Sequence, residues 1–392
     1  MKLRNPTMIL SFAVLVVSLG YGLVLPVMPF YIESLGAGGR ELGWLTSCYA
    51  LMQTICAPFW GILSDRIGRR PVLAIGMLGY AVTLFMFGLA STFTALFIAR
   101  FLSGILSSAT SAAAMAYIGD SASEKERSAN MGRQAAAMSV GVVIGPVGGG
   151  ILAEYSLSLP FFTGAGIALI ALLLIVFLLP ESHPPQPDAD RRILPDKAYL
   201  RRTMFGPSGV ILLLILTTSF ALTGFQGITG LYVVDKFAFN SKQVGAVWMV
   251  MAGVLILVQG TLIGPLTQKF GEWALILTGL AGGALSLFAM TQATGFPGIL
   301  LVLSFFAFFL ALTSPTLKAL LSTFAEGHQG ALMGLSGTVQ NLGKVIGPLS
   351  AGYFYEANIE FPYISGGVVS ILGLIVCVVW VKTGQRNDRN RF

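Results

Sequence analysis

Charge is scarce in this chain. Of its 392 residues only 10% are Asp, Glu, Lys or Arg, while 55% are hydrophobic and the mean hydropathy is +0.79. Soluble domains carry about 25% charged residues. So little charge cannot cover a water-soluble body of this size. A cytosolic enzyme is therefore excluded as the default, and a disordered chain is excluded by the hydrophobicity. Histidine is nearly missing. His183 and His328 lie in separate polar stretches without metal-ligand spacing. The three cysteines all fall in apolar runs. Cys48 and Cys56 would sit about 12 Å apart along a helix, too far for a disulfide. The loops offer no nucleophile–base pair, metal set or phosphate loop. The glycine-rich strings follow no strand, so they are not a nucleotide fingerprint. We expect no enzyme, no cofactor and no metal.

What the chain has is apolar runs. Twelve can be marked, at about 8–31, 41–63, 71–90, 94–119, 131–153, 160–180, 207–231, 243–267, 273–293, 298–323, 330–354 and 362–382. Each approaches the ~20 residues that cross a bilayer as a helix. The first follows Lys2 and Arg4 and is too long for a signal-peptide core. One long polar stretch, 181–206, is rich in Pro and charge and reads as a linker. The expected organisation is a six-helix bundle 1–180, a central loop 181–206 and a second six-helix bundle 207–392. With both termini in the cytoplasm, seventeen of the 24 Lys and Arg residues fall inside and three, Arg40, Lys236 and Lys242, fall outside. That split follows the positive-inside rule. It also explains the net charge of +7 without nucleic acid as a partner.

The halves repeat. At an offset of 202, eleven of the 31 positions from 124 to 154 are identical without a gap, including Met131-Gly132 on Met333-Gly334 and Val143-Ile-Gly145-Pro146 on Val345-Ile-Gly347-Pro348. Parallel repeats of this kind suit two bundles related by an axis along the membrane normal.

Four strings carry possible mechanism. Gly61-Ile-Leu-Ser-Asp65-Arg66-Ile-Gly68-Arg69-Arg70-Pro71 joins spans two and three, and Asp65 should meet an arginine or a helix N-terminus there. In the second half, Gly264 through Gly271 keeps the glycines and loses the acid. Gly141, Gly145 and Gly149 line one face of span five, beside Pro146. Gly343, Gly347 and Pro348 repeat this in span eleven. Such stripes let a neighbouring helix approach closely. Arg100 sits within span four, six or seven residues from its outer end, so it either snorkels or finds partners. Asp120 and Arg127 mark the loop between spans four and five. In span one, Gly20-Tyr21-Gly22 is followed by Pro26 and Pro29, which should bend the outer end.

Across essentially the whole chain these features resemble the major facilitator superfamily, and in particular its twelve-span drug:proton antiporters, including bacterial multidrug and tetracycline efflux carriers. The string at 61–71 is similar to that family's signature loop, and the span-five glycines to its antiporter motif. The resemblance implies an all-α membrane fold of two pseudo-symmetric bundles. It further implies proton-coupled export of small amphipathic compounds by alternating access, from a bacterial cell membrane. Gating and coupling would fall to Asp65, Arg66, Arg69, Arg70, Arg100, Asp120 and Arg127. The expected partners are a small-molecule substrate, protons and the lipid bilayer, with the chain acting as a monomer. The alternative is an uptake symporter or exchanger for a sugar or small organic anion.

The chain departs from that pattern in its charges. None of its seventeen acids lies mid-span by hydropathy, and span seven offers Gln226 where several multidrug members have Glu. Glu33 and Asp235 stand at outer ends and are candidate proton partners. Lys344, by contrast, is about fourteen residues into span eleven, roughly 21 Å deep. Lys318 in span ten lies near enough to the inner end to snorkel. Candidate substrate-lining residues are Tyr21, Gln53, Met138, Phe225, Gln226, Phe305, Phe306, Gln340 and Lys344. A cavity-facing Lys344 would favour acidic or zwitterionic compounds over lipophilic cations; its other reading is structural, with a carbonyl or Gln340 as partner.

Overall fold

A computed structural model describes residues 6–389 apart from 122–123, 183–202, 205 and 325–328. The described residues form helices and no strand. Most of the central loop lies outside them. So do Lys2, Arg4, the basic residues from Arg191 to Arg202, both histidines and Glu326.

The helices are α1 (Pro6–Val24), α2 (Met28–Ser34), α3 (Gly39–Ile67), α4 (Arg69–Leu89), α5 (Phe93–Ser121), α6 (Glu124–Ala153), α7 (Leu159–Leu178), α8 (Pro207–Phe237), α9 (Ser241–Leu257), α10 (Ile263–Phe270), α11 (Glu272–Gln292), α12 (Gly295–Thr323), α13 (Gln329–Ala357) and α14 (Phe361–Arg389). The first apolar run is broken into α1 and α2 at Leu25–Val27, between residues that Pro26 and Pro29 deprive of backbone donors. Between α9 and α10 a π-helical turn, Val258–Leu262, interrupts an otherwise continuous apolar stretch. Nothing in the periodicity announces that turn.

Among the described residues, ten helical stretches are long and apolar enough to cross a membrane. The two other runs expected to span, α3 and α13, are 29 residues each, about 43 Å of helix. They have the length but are more polar, carrying Gln53 in α3 and Gln340, Asn341 and Lys344 in α13.

The chain forms two compact units. One holds residues 1–191 together with 230–249; the other holds 192–229 and 250–392. In the first, α6 packs on α1 through its glycines. A Cβ on Gly141 would lie 2.7 Å from the Leu15 carbonyl oxygen, one on Gly145 2.7 Å from that of Leu19, and one on Gly149 2.3 Å from that of Leu23. In the second unit, Gly343 and Gly347 seat α13 on α8 in the same way, 3.0 and 2.6 Å from the carbonyl oxygens of Leu216 and Phe220. Backbone cannot swing aside, so only glycine permits these approaches. A second glycine pair is also duplicated: Gly76 and Gly79 of α4 face Thr110 and Leu106 of α5, and Gly279 and Gly282 of α11 face Thr313 and Phe309 of α12. All four correspondences share an offset of 203.

Candidate transport site

The loop between α3 and α4 is built around Gly68. Its φ of 100° and ψ of 161° are open to glycine alone, and they let one helix end and the next begin without a spacer. The turn brings Arg69 back over the last turn of α3. Arg69 pairs with Asp65, and its Nε donates to Asp120 Oδ2 of α5 at 2.8 Å; Nη1 also reaches Ser64. The guanidinium is buried and the two carboxylates are about a quarter exposed. Asp65 thus has an arginine as its partner, and the α3–α4 loop and the end of α5 share one cation.

Glu181, expected only as the start of a linker, caps the same turn. Its carboxylate accepts the Arg69 and Arg70 backbone N–H groups at 2.8 and 3.1 Å, at the positive end of α4. Arg70 donates to the Val176 carbonyl of α7, and the Tyr117 hydroxyl donates to that of Pro180 at 2.8 Å. Arg66 is exposed. Arg127 lies in α6, and its side chain is outside the described residues.

Arg100 does not snorkel. It is 8% exposed, its guanidinium lies 4.5 Å from the Tyr49 ring centroid and 6.0 Å from that of Phe87, and its buried Nε has no hydrogen-bond partner. Cation–π contact offsets part of the desolvation. The Tyr49 hydroxyl in turn accepts from Gln53 at 3.3 Å and from Ser107 at 3.2 Å. Tyr21, Cys48 and Tyr80 lie within electrostatic range of Arg100. The first unit therefore brings Tyr21, Gln53 and Arg100 into one polar cluster, with Tyr49 and Ser107 added. Met138 is exposed on α6.

At the α2 end of this unit, residues 230–249 close against α2 and α6. The Ser241 hydroxyl donates to the Gly150 carbonyl at 2.8 Å, Lys242 pairs with Glu154 at 2.5 Å, and Gly230 abuts Pro29. Glu33 and Asp235 meet in this seam. Glu33 is exposed, but the desolvation it suffers in the seam, then the charge and hydrogen bond of Asp235, hold its carboxyl above its ordinary range.

In the second unit the Phe225 and Phe306 rings meet at a tilt of 40° with centroids 4.6 Å apart, and Tyr363 meets Phe225 edge-on. Both phenylalanines are buried, whereas Phe305 is exposed. Phe306 still lines a cavity of about 20 Å³ with Thr218, Thr313 and Ser370. Gln226, Gln340 and Lys344 are half-buried. Glu181, Tyr49, Ser107 and Thr218 escaped the sequence reading because each acts through partners distant in the chain or through its burial.

Paired helix bundles with duplicated glycine seams, a charged loop between the second and third long helices and buried polar clusters define a membrane transporter. The family model of the Major Facilitator Superfamily matches residues 10–291 and 256–391, and the chain belongs to that family. It is 32% identical over 387 residues to Multidrug resistance protein 2 of Bacillus subtilis, covering 97% of this chain and 96% of that one. It is 28% identical to the quinolone resistance protein NorA of Staphylococcus aureus, covering 95% of each. Among solved structures, the nucleoside transporter NupG matches with a TM-score of 0.75 at 16% identity, covering 96% of this chain and 98% of that one. The human organic anion transporter MFSD10 matches at 0.67 and 22%, covering 95% and 99%. These two show the fold. The chain is a multi-pass protein of the bacterial plasma membrane.

Proposed function

We propose that this protein exports small amphipathic compounds, antibiotics and dyes among them, by proton-coupled alternating access. The observation that carries the reading is the near full-length similarity to Multidrug resistance protein 2. The duplicated glycine seams support it, since they let each half move as a packed body. On this reading the protein has twelve spans, α3 and α13 included, and both termini are cytoplasmic. The bundles 1–180 and 207–392 rock about the substrate while 181–206 links them, and the unit of action is a monomer. Tyr21, Gln53, Met138, Phe225, Gln226, Phe305, Phe306, Gln340 and Lys344 line the path. The Asp65–Arg69–Asp120 cluster, with Arg66, Arg70 and Arg127, gates the cytoplasmic end and couples it to protons. Arg100, Glu33 and Asp235 are its partners along the route. Arginine keeps its own proton, so Arg100 acts by tuning its neighbours.

The test is a drug-susceptibility panel in a pump-deficient host, paired with dye efflux in energised cells. Resistance to several compounds, with efflux abolished by a protonophore, is the expected result. No change for any compound, together with proton-independent uptake of a nutrient, would overturn it in favour of an importer.

A further inference from the structure

The C-terminal unit places two cations where no acid answers them. Lys344 is half-buried on α13, and Lys318 stands exposed on α12, close enough for the two ammonium groups to repel. Neither makes an ion pair among the described residues. The described acids of this unit whose side chains are placed stand at helix ends. Glu272 opens α11, Glu360 precedes α14, and Glu356 is twelve residues beyond Lys344, about 18 Å along the helix. Lys318 and Gln340 line a notch of about 20 Å³ with Thr218, Ser219 and Ser314. Lys344 is one helical turn from Gln340, on the same face. Ser219 spends its hydroxyl on the Gln340 carbonyl at 2.7 Å. The Thr218 hydroxyl is buried and has no partner.

Two penalties therefore stand open at one place. A buried hydroxyl without a partner is unfavourable, and the half-buried Lys344 ammonium is repelled by Lys318 with no counter-charge beside it. An incoming anion relieves both, since it accepts from the ammonium groups and from Thr218. A neutral group relieves neither repulsion nor charge burial, and a cation worsens both. The notch holds about one or two water-sized atoms, the scale of a carboxylate head and far short of a whole drug. We propose that Lys318, Lys344 and Thr218 form an anion subsite that reads a carboxylate on the transported compound. The carrier then prefers acidic and zwitterionic molecules over purely cationic ones. The inference deepens the export reading and rests on it for the direction of transport.

The test uses a rhodamine zwitterion with a free carboxylate and its methyl ester, which differ only in that group. Efflux of each is measured in cells carrying the wild type, Lys318→Ala, Lys344→Ala, the double variant and Thr218→Val. Binding of each dye to the purified full chain is read by fluorescence anisotropy. The acid-to-ester efflux ratio should fall about tenfold for each lysine variant and about threefold for Thr218→Val, with Lys344→Arg close to wild type. An unchanged ratio across the lysine variants overturns the proposal. If the wild type exports neither dye, binding decides. A preference for the acid that the lysine variants lose sustains the subsite and removes the export reading. Wild-type protein that binds the acid no better than the ester removes the subsite.

Discussion

The two halves share a scaffold and differ in chemistry. Four of their seam glycines correspond, Gly141 and Gly145 with Gly343 and Gly347, and Gly76 and Gly79 with Gly279 and Gly282, while Gly149 falls on Ala351. Their charges do not. At the offset of 203, Asp65, Arg69, Asp120 and Arg100 fall on Gln268, Glu272, Thr323 and Leu303. Conversely Lys318 falls on Met115 at that offset, and Lys344 falls on Val142 at 202. A helix seam is tested within each bundle, so duplication preserves it. A charge in a membrane is tolerated only where it has work or a partner, so each half keeps the charges its own role needs.

The largest effect expected of this asymmetry lies at Arg69. Arg69→Ala leaves Asp65 and Asp120 facing one another without their shared cation. Removing one partner of a buried pair costs about 3–5 kcal/mol, and partial exposure of the carboxylates brings this to about 2–4 kcal/mol. Dye efflux should drop with it. Its counterpart Glu272→Ala removes only a charge at a helix N-terminus, about 0.3–1 kcal/mol. Thermal unfolding of both variants in detergent measures the gap, and equal shifts would break the comparison.

A smaller difference separates the two loop glycines. Gly68 and Gly271 both adopt a glycine-only backbone, with φ of 100° and 79° and ψ of 161°. Alanine at either should cost about 1–3 kcal/mol. A Cβ at Gly68 would also lie 2.6 Å from Glu181 Oε2, while one at Gly271 meets nothing within 4 Å. Gly68→Ala must therefore displace the α4 cap and lose about 1 kcal/mol more. If the two alanine variants unfold at the same temperature shift, the Glu181 cap contributes nothing.

Much of this architecture is legible in the sequence because lipid imposes a simple rule of long apolar runs. Pro26 and Pro29 announce the break in the first helix, and glycines four apart announce the seams. Asp65 announces an arginine by being an acid among basic residues. The rest depends on folding across distance. Glu181 caps a turn 112 residues before it. Arg100 is near enough to a helix end to snorkel on paper, and only the packing of Tyr49 and Phe87 shows that it stays buried. Residues 230–249 join the N-terminal unit although they lie beyond the central loop, a grouping that no local pattern encodes.

The smallest expected effect concerns a place where the halves do match. Glu33 and Asp235 are 202 residues apart, the offset of the internal repeat, so two equivalent acids meet in one seam. Two carboxylates at hydrogen-bonding distance hold together best with a proton between them. The folded protein raises the pKa of Glu33 above its unfolded value. The stabilisation is then fully present below the ordinary glutamate pKa and is lost as pH rises through the raised one. Melting temperature should therefore fall as pH climbs through the window just above the ordinary value of about 4.3. Glu33→Gln should flatten that slope, since the amide donates its hydrogen bond at every pH. Because Glu33 is exposed, the difference should be a few tenths of a kcal/mol and shrink in high salt. Melting curves taken from about pH 4 to pH 7 at low and high salt would show this. Identical slopes for wild type and Glu33→Gln would mean that the paired acids share no proton and that the symmetry of the seam is only geometric.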